Sequence, residues 1–152
     1  MDIAAKLAAL GLELPTVPKP VGNYRPAKRV GNLVFTSGQT ARINGVRRYV
    51  GKVGQGVTEE EAYLSARDAA LNCLACAAWA AGGLDRLVQV VKVTGFVNCV
   101  DGYEKQPAAL NGCSDLMEKL FGEAGAHARS AIGVSSLPSN VSVELEMVFE
   151  VT

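Results

Sequence analysis

The sequence predicts an α+β fold in which a β-sheet carries two long helices on one face, with a further short helix at the N-terminus. Three observations predict it. From Val141 to Val151 the apolar residues Val141, Val143, Leu145, Met147, Phe149 and Val151 alternate with Ser142, Glu144, Glu146, Val148 and Glu150, the period of a strand with one face on a core. Leu87 to Val100 has the composition of a second, longer strand. Two segments, Thr58 to about Ala80 and about Pro107 to Gly122, have helical spacing and helical end signals.

A chain of 152 residues has the length of a single domain and can bury most of its unfolded surface. Lysine plus arginine total 15, as do aspartate plus glutamate, so the formal charge is zero and no long-range attraction to nucleic acid is built in. The N-terminus lacks the basic start and unbroken apolar run of a signal peptide, and no stretch has the length of a membrane span. A cytoplasmic protein is the expectation. The four cysteines do not have the spacing of a disulfide framework and fit a reducing compartment, where a free thiol behaves as a small buried hydrophobe.

Taken in order, Met1 to Leu10 forms a short amphipathic helix with Ile3, Leu7 and Leu10 on one side and Gly11 at its end. Leu14 to Pro20 is an extended connector, because its three prolines remove donors and force their predecessors out of the helical region. Val21-Gly22-Asn23-Tyr24 leads through Pro26 into a first strand or edge segment at Arg29-Val30. Asn32 to Gln39 is a strand that stops at Gly38, where Ser37 and Gly38 offer a hydroxyl and an unobstructed backbone amide. Asn44-Gly45 places a hairpin turn between Thr40-Ala41-Arg42 and Val46 to Val50. That turn crowds Arg42, Arg47 and Arg48, which read either as a phosphate-binding patch or as solvated charges that protect a sheet edge. Gly51 to Val57 is a loop, since Gly51, Gly54 and Gly56 lack the preceding strand and the lysine of a phosphate loop.

Thr58 and Glu61 form a capping box that opens the first long helix, and Gly82-Gly83 closes it. Its alanines allow close approach to a sheet, with Leu64, Leu71, Ala75 and Ala78 on the buried face. Cys73 and Cys76 have C-x-x-C spacing, but no second pair completes a zinc site and they lie deep in the helix, so they are structural thiols. Asn72 makes a helix-to-loop hydrogen bond. In the long strand, Val91, Val93, Val97 and Cys99 oppose Val88, Val90, Phe96 and Val100, so both faces are apolar and both need cover. The helices cover one; another copy of the chain is the simplest cover for the other.

Ala128 to Val134 and the strand ending at Val151 are separated by a Pro-Ser-Asn turn and are expected to be antiparallel. If they pair, the guanidinium of Arg129 and the carboxylate of Glu144 face one pocket, a cleft able to grip a small anion.

These residues resemble the RidA/YjgF family of reactive-intermediate deaminases. The resemblance is carried by Gly22-Asn23-Tyr24, Thr36-Ser37-Gly38-Gln39, Leu71-Asn72, Val91-Lys92-Val93-Thr94, Asn111, Ala128-Arg129-Ser130, Leu137-Pro138 and Val143-Glu144-Leu145-Glu146, in order after Val21. It implies a chorismate-mutase-like fold, a homotrimer, no cofactor or metal, and active sites in clefts between subunits. It further implies hydrolysis of small enamine or imine acids such as 2-aminoacrylate or 2-iminopropionate to 2-oxo acids and ammonia. In this resemblance Arg129 binds the substrate carboxylate, Glu144 serves as the acid/base that orders water, and Tyr24, Ser37, Gly38 and Asn111 match substrate-binding positions. Arginine suits the anchoring role because it stays charged and its fork matches a carboxylate.

Many members of the family carry cysteine two residues beyond the arginine, where this chain has Ala131, so no thiol lies beside the substrate. The longer N-terminus and the stretches at Gly51 to Gln55 and Gly122 to Gly125 resemble a longer branch labelled as endoribonucleases. His127, two residues from Arg129, is a candidate second base or carboxylate partner. Two alternatives accompany the deaminase: a non-catalytic binder of 2-oxo acids or other small carboxylates, and an endoribonuclease built on Arg42, Arg47, Arg48 and His127.

Overall fold

The structure, a computed structural model, describes residues 1–152. Helix α1 spans Ile3–Ala9, with the Asp2 side chain accepting from the Ala5 amide at its start. Residues 12–26 contain no helix or strand. The extended connector and the late start of the first strand agree with the proline pattern. Ten short or long strands follow: β1 Ala27–Val30, β2 Leu33–Thr36, β3 Gln39–Thr40, β4 Arg42–Ile43, β5 Val46–Arg47, β6 Lys52–Val53, β7 Gly56–Val57, β8 Leu87–Asn98, β9 Ala128–Val134 and β10 Val143–Val151. Between them lie helix α2, Glu59–Ala81, and helix α3, Gln106–Phe121.

Local chemistry sets most of these boundaries. Both capping-box bonds of α2 are present, the Glu61 amide donating to Thr58 Oγ1 at 3.1 Å and the Thr58 amide to Glu61 Oε2 at 3.4 Å. Gly82 ends that helix in the left-handed region at φ 90°. Asn44 and Gly45, at φ 50° and 87°, make the two-residue turn between β4 and β5. The glycine-rich stretch read as a loop contains the two-residue strands β6 and β7, which pair with each other.

The main sheet runs β1-β2-β10-β8-β9, with β3 also paired to β10. All pairs are antiparallel except β8 with β9, which is parallel. Here the structure corrects the expected pairing of the last two strands: β9 and β10 run in opposite directions but occupy opposite edges of β8. The connection is more than a hairpin turn, because Pro138–Asn140 is a 3-10 turn whose Asn140 carbonyl accepts from Gly51, carrying the chain across the end of β8.

The helices cover one face. Val34, Val90, Val93, Val97, Val143, Leu145, Met147 and Phe149 point into a core shared with α2 and α3. Residues 69–78 of α2 are all buried, a wider contact than the single face predicted, because α3 packs on one side of the helix and the sheet on another. Leu64 is only partly buried. Asn72 Nδ2 donates to the Thr40 and Arg42 carbonyls at 2.8 Å each, tying α2 to the start of the hairpin. All four cysteines are free and buried.

The opposite sheet face is bare within the chain. Phe35 is 45% exposed and Ile132 48%, and Val88 and Val91 also reach the surface. A bulge explains one departure from the predicted faces: the register slips between Val148 and Phe149, so Val90 joins Val93 in the core and Val91 turns outward. No helix is long and apolar enough to cross a membrane.

The two long helices pack tightly against each other at Gly112. A Cβ there would sit 1.9 Å from the Tyr63 carbonyl oxygen, a backbone atom that cannot swing aside. Gly112→Ala is therefore expected to destabilise the fold by about 3 kcal/mol, the upper range for overpacking. Thermal denaturation checks this, with a fall of several degrees in Tm predicted.

Candidate active site

Strand pleat decides which side chains can meet. On β8, Val93 faces the core while Phe96, three residues on, lies on the bare face. Arg129 of β9 is the register partner of Val93, and Glu144 of β10 is the register partner of Phe96. The predicted pair therefore occupies opposite faces of the sheet, with β8 between, and does not share a pocket within one chain.

Two clusters result. The first lies at the β9 edge on the helix side. Asn111 and Ser114, one turn apart on α3, present their side chains to Arg129. Arg129 Nη1 donates to Asn111 Oδ1 at 2.9 Å and to Ser114 Oγ at 3.1 Å. Ser114 Oγ is 2.9 Å from His127 Nε2, and His127 Nδ1 is 2.6 Å from the Gly125 carbonyl. These residues border a groove of about 740 Å³ whose other walls include Asp115, Glu118 and Glu123. The Arg129 guanidinium has no carboxylate partner, and its remaining N–H groups make no hydrogen bond in the chain. Burial holds the His127 imidazole below its ordinary pKa, and the Arg129 charge acts in the same direction against the hydrogen bond to Gly125.

The second cluster lies on the bare face. Gly38, between β2 and β3, packs so tightly on Glu144 that a Cβ at this position would be 3.0 Å from the Glu144 carboxyl carbon. Glu144 is partly buried, and its carboxylate makes no hydrogen bond or ion pair in the chain. Burial pushes its carboxyl above the usual range, with the charge of Glu146 adding to the effect. Tyr24 and Ser37 share an adjoining groove with Arg25, Lys28 and Phe35. The Ser37 hydroxyl donates to the Arg25 carbonyl at 2.6 Å, which leaves its oxygen free to accept.

The seven predicted site residues thus divide into Arg129, Asn111 and His127 on one side and Tyr24, Ser37, Gly38 and Glu144 on the other. Sequence reasoning missed Ser114, although its position three residues after Asn111 on a helix was a usable signal. The arginine patch is dispersed: Arg48 pairs with the buried Asp68 at 3.1 Å and Arg42 Nε donates to the Gly45 carbonyl. Burial pushes the Cys113 thiol up to about 12 and the Cys76 thiol to about 11, so neither supplies a thiolate near neutral pH. No three His, Cys, Asp or Glu side chains converge as a metal-ligand set.

Comparison with known proteins identifies the family and the fold. Residues 4–151 match the family described as "YjgF/chorismate mutase-like, putative endoribonuclease". The chain is 36% identical over 149 residues to Protein TCP17 of Trypanosoma cruzi, covering 97% of this chain and 93% of that protein. It is 30% identical over 137 residues to a 2-iminobutanoate/2-iminopropanoate deaminase of Dermatophagoides farinae, covering 90% and 92%. The crystal structure of Atu1372 from Agrobacterium tumefaciens, a protein of unknown function, superposes with a TM-score of 0.92 at 37% identity, covering 99% of this chain and 92% of the other.

An unpaired, partly buried carboxylate is a cost that its neutral form avoids. Because the folded-state pKa of Glu144 is raised, the penalty is present above that pKa and vanishes once pH falls below the unfolded value. Glu144→Gln is expected to raise Tm slightly at pH 7 and to leave it unchanged near pH 4, as measured by thermal melts across that range.

Proposed function

This chain belongs to the YjgF/chorismate mutase-like (RidA) family, and we propose that it hydrolyses small enamino or imino acids to 2-oxo acids and ammonia in clefts built by two copies of the chain. The observation that carries this reading is the pair of half-sites: a guanidinium with free donors at one sheet edge and an unpaired carboxylate on the bare face. Neither half suffices for the reaction, and their placement on opposite faces calls for a second copy. The exposed Phe35 and Ile132 give the bare face an apolar surface for that copy to cover. A closed cyclic trimer, each β9 edge meeting the next copy's Glu144, satisfies all three copies equally.

In this cleft the free donors of Arg129 bind the substrate carboxylate and orient the adjacent C=N carbon. The Glu144 carboxylate takes a proton from water as the water oxygen bonds to that carbon. The same carboxyl returns that proton to the imine nitrogen, giving a tetrahedral hydroxy-amine; a second proton then passes from its hydroxyl to the nitrogen, so that C=O forms as the C–N bond breaks and ammonia leaves with a 2-oxo acid. A carboxyl group with a raised pKa is suited to both transfers, since its affinity for the proton is nearer that needed near neutral pH. Ala131 replaces a thiol in this account, and the chemistry needs none. An endoribonuclease is less well supported, because Arg48 is engaged by Asp68 and the formal charge is zero.

The test is release of 2-oxo acid from 2-iminopropionate generated in situ. Arg129→Ala is expected to lower kcat/KM by about 100-fold, the loss of a charge-assisted grip on the carboxylate. Equal rates in variant and parent remove the deaminase. Binding of a 2-oxo acid that depends on Arg129, with no turnover in the parent, selects the carboxylate-binding alternative.

A further inference from the structure

Behind Arg129 stand a serine and the only histidine of the chain, and their hydrogen bonds have a single direction. The Gly125 carbonyl can only accept, so its 2.6 Å contact requires the imidazole proton on Nδ1. Nε2 of the neutral ring is then a bare lone pair, and the 2.9 Å contact with Ser114 is donated by the serine hydroxyl. Ser114 Oγ in turn accepts from Arg129 Nη1 at 3.1 Å. The sequence runs from guanidinium to hydroxyl to imidazole to carbonyl, and it opens on the groove in which the anchor lies.

We propose that Ser114 and His127 form a proton relay beside the carboxylate anchor, and that a carboxylate bound to Arg129 makes the imidazole a stronger proton acceptor. The proposal rests on the reading of Arg129 as the carboxylate anchor. In the relay, the hydroxyl of the tetrahedral adduct formed with the help of Glu144 gives its proton to Ser114 Oγ while the serine gives its own to Nε2. The serine hydroxyl is thereby restored and the imidazole becomes a cation. The proton returns by the same path to the departing nitrogen, so the relay ends as it began. Ser114 contacts the hydroxyl of the adduct, and His127 acts through it as a positioning and proton-holding group.

Charge explains the coupling. The other charged groups on the groove wall are Asp115 and Glu118 from α3 and Glu123 from the following turn. Asp115 Oδ2 already accepts from the Tyr63 hydroxyl at 2.7 Å, and neither glutamate bonds the ring. Arg129 is the charge that most directly opposes protonation of His127, in addition to burial. A carboxylate on Arg129 offsets that charge, and by reciprocity a protonated His127 tightens carboxylate binding. The base therefore strengthens when a substrate is present.

Because the chain has one histidine, its imidazole resonances can be followed in the full protein without ambiguity. Nitrogen-15 NMR is expected to find the neutral ring protonated on Nδ1, with its titration midpoint moving up when 2-oxobutanoate saturates the parent. Arg129→Ala should abolish that response. In the imine assay, Ser114→Ala should lower kcat about tenfold with little change in KM, and Ser114→Thr should restore most of it. A proton on Nε2, a midpoint indifferent to 2-oxobutanoate, or a parent-like kcat in Ser114→Ala overturns the relay. A parent that turns over the imine with an indifferent midpoint keeps the deaminase and loses the relay. A parent without turnover whose midpoint moves up loses the deaminase and keeps the coupling.

Discussion

Strand β8 carries β9 on one edge and β10 on the other, and its pleat sends Val93 and Phe96 to opposite sides. Arg129 follows Val93 toward the helices, and Glu144 follows Phe96 to the bare face. A shift of one residue in either ladder would exchange those faces and move core side chains into solvent at the same time. Burial of Val93, Met147 and Val143 therefore fixes where the two charged groups stand. The core is what keeps the two groups apart.

Polar groups away from the site are treated differently from those within it. Asn98, fully buried, donates to the Asn140 side chain and the Val141 carbonyl and accepts from Lys52 Nζ at 2.9 Å. Ser142 and Ser65 bond each other at 2.8 Å in the core. Arg129 and Glu144, by contrast, lack a counter-charge in the chain. Uncompensated charge lowers stability and is retained where a site needs it. In the proposed cleft these two groups would gain their partners from the substrate and its water.

Much of the fold was legible because its signals are local. The Thr58–Glu61 box, the Asn44-Gly45 turn, the prolines before β1 and the alternation of β10 each specify their element through neighbours a few residues away. Non-local relations were not. The parallel ladder of β8 and β9 depends on where α3 returns the chain, and the strands nearest in sequence, β9 and β10, invited a hairpin reading. The bulge at Val91 reversed part of a strand face with no glycine to mark it. Arg129 and Glu144 could be picked out as candidates from the sequence, but their separation by β8 required the sheet order. The pairing of Arg48 with Asp68, twenty positions away, likewise depended on the fold.

A site shared by two copies has a distinctive consequence for mixtures. Arg129→Ala and Glu144→Gln, each expected to be strongly impaired alone, can be mixed, dissociated and reassembled before the imine assay. In a cyclic trimer with random mixing, every hybrid contains one cleft with both groups intact, so roughly a quarter of parent activity should return. Mixtures that remain as inactive as the separate variants, despite proven hybrid formation, would contradict a cleft built from two chains.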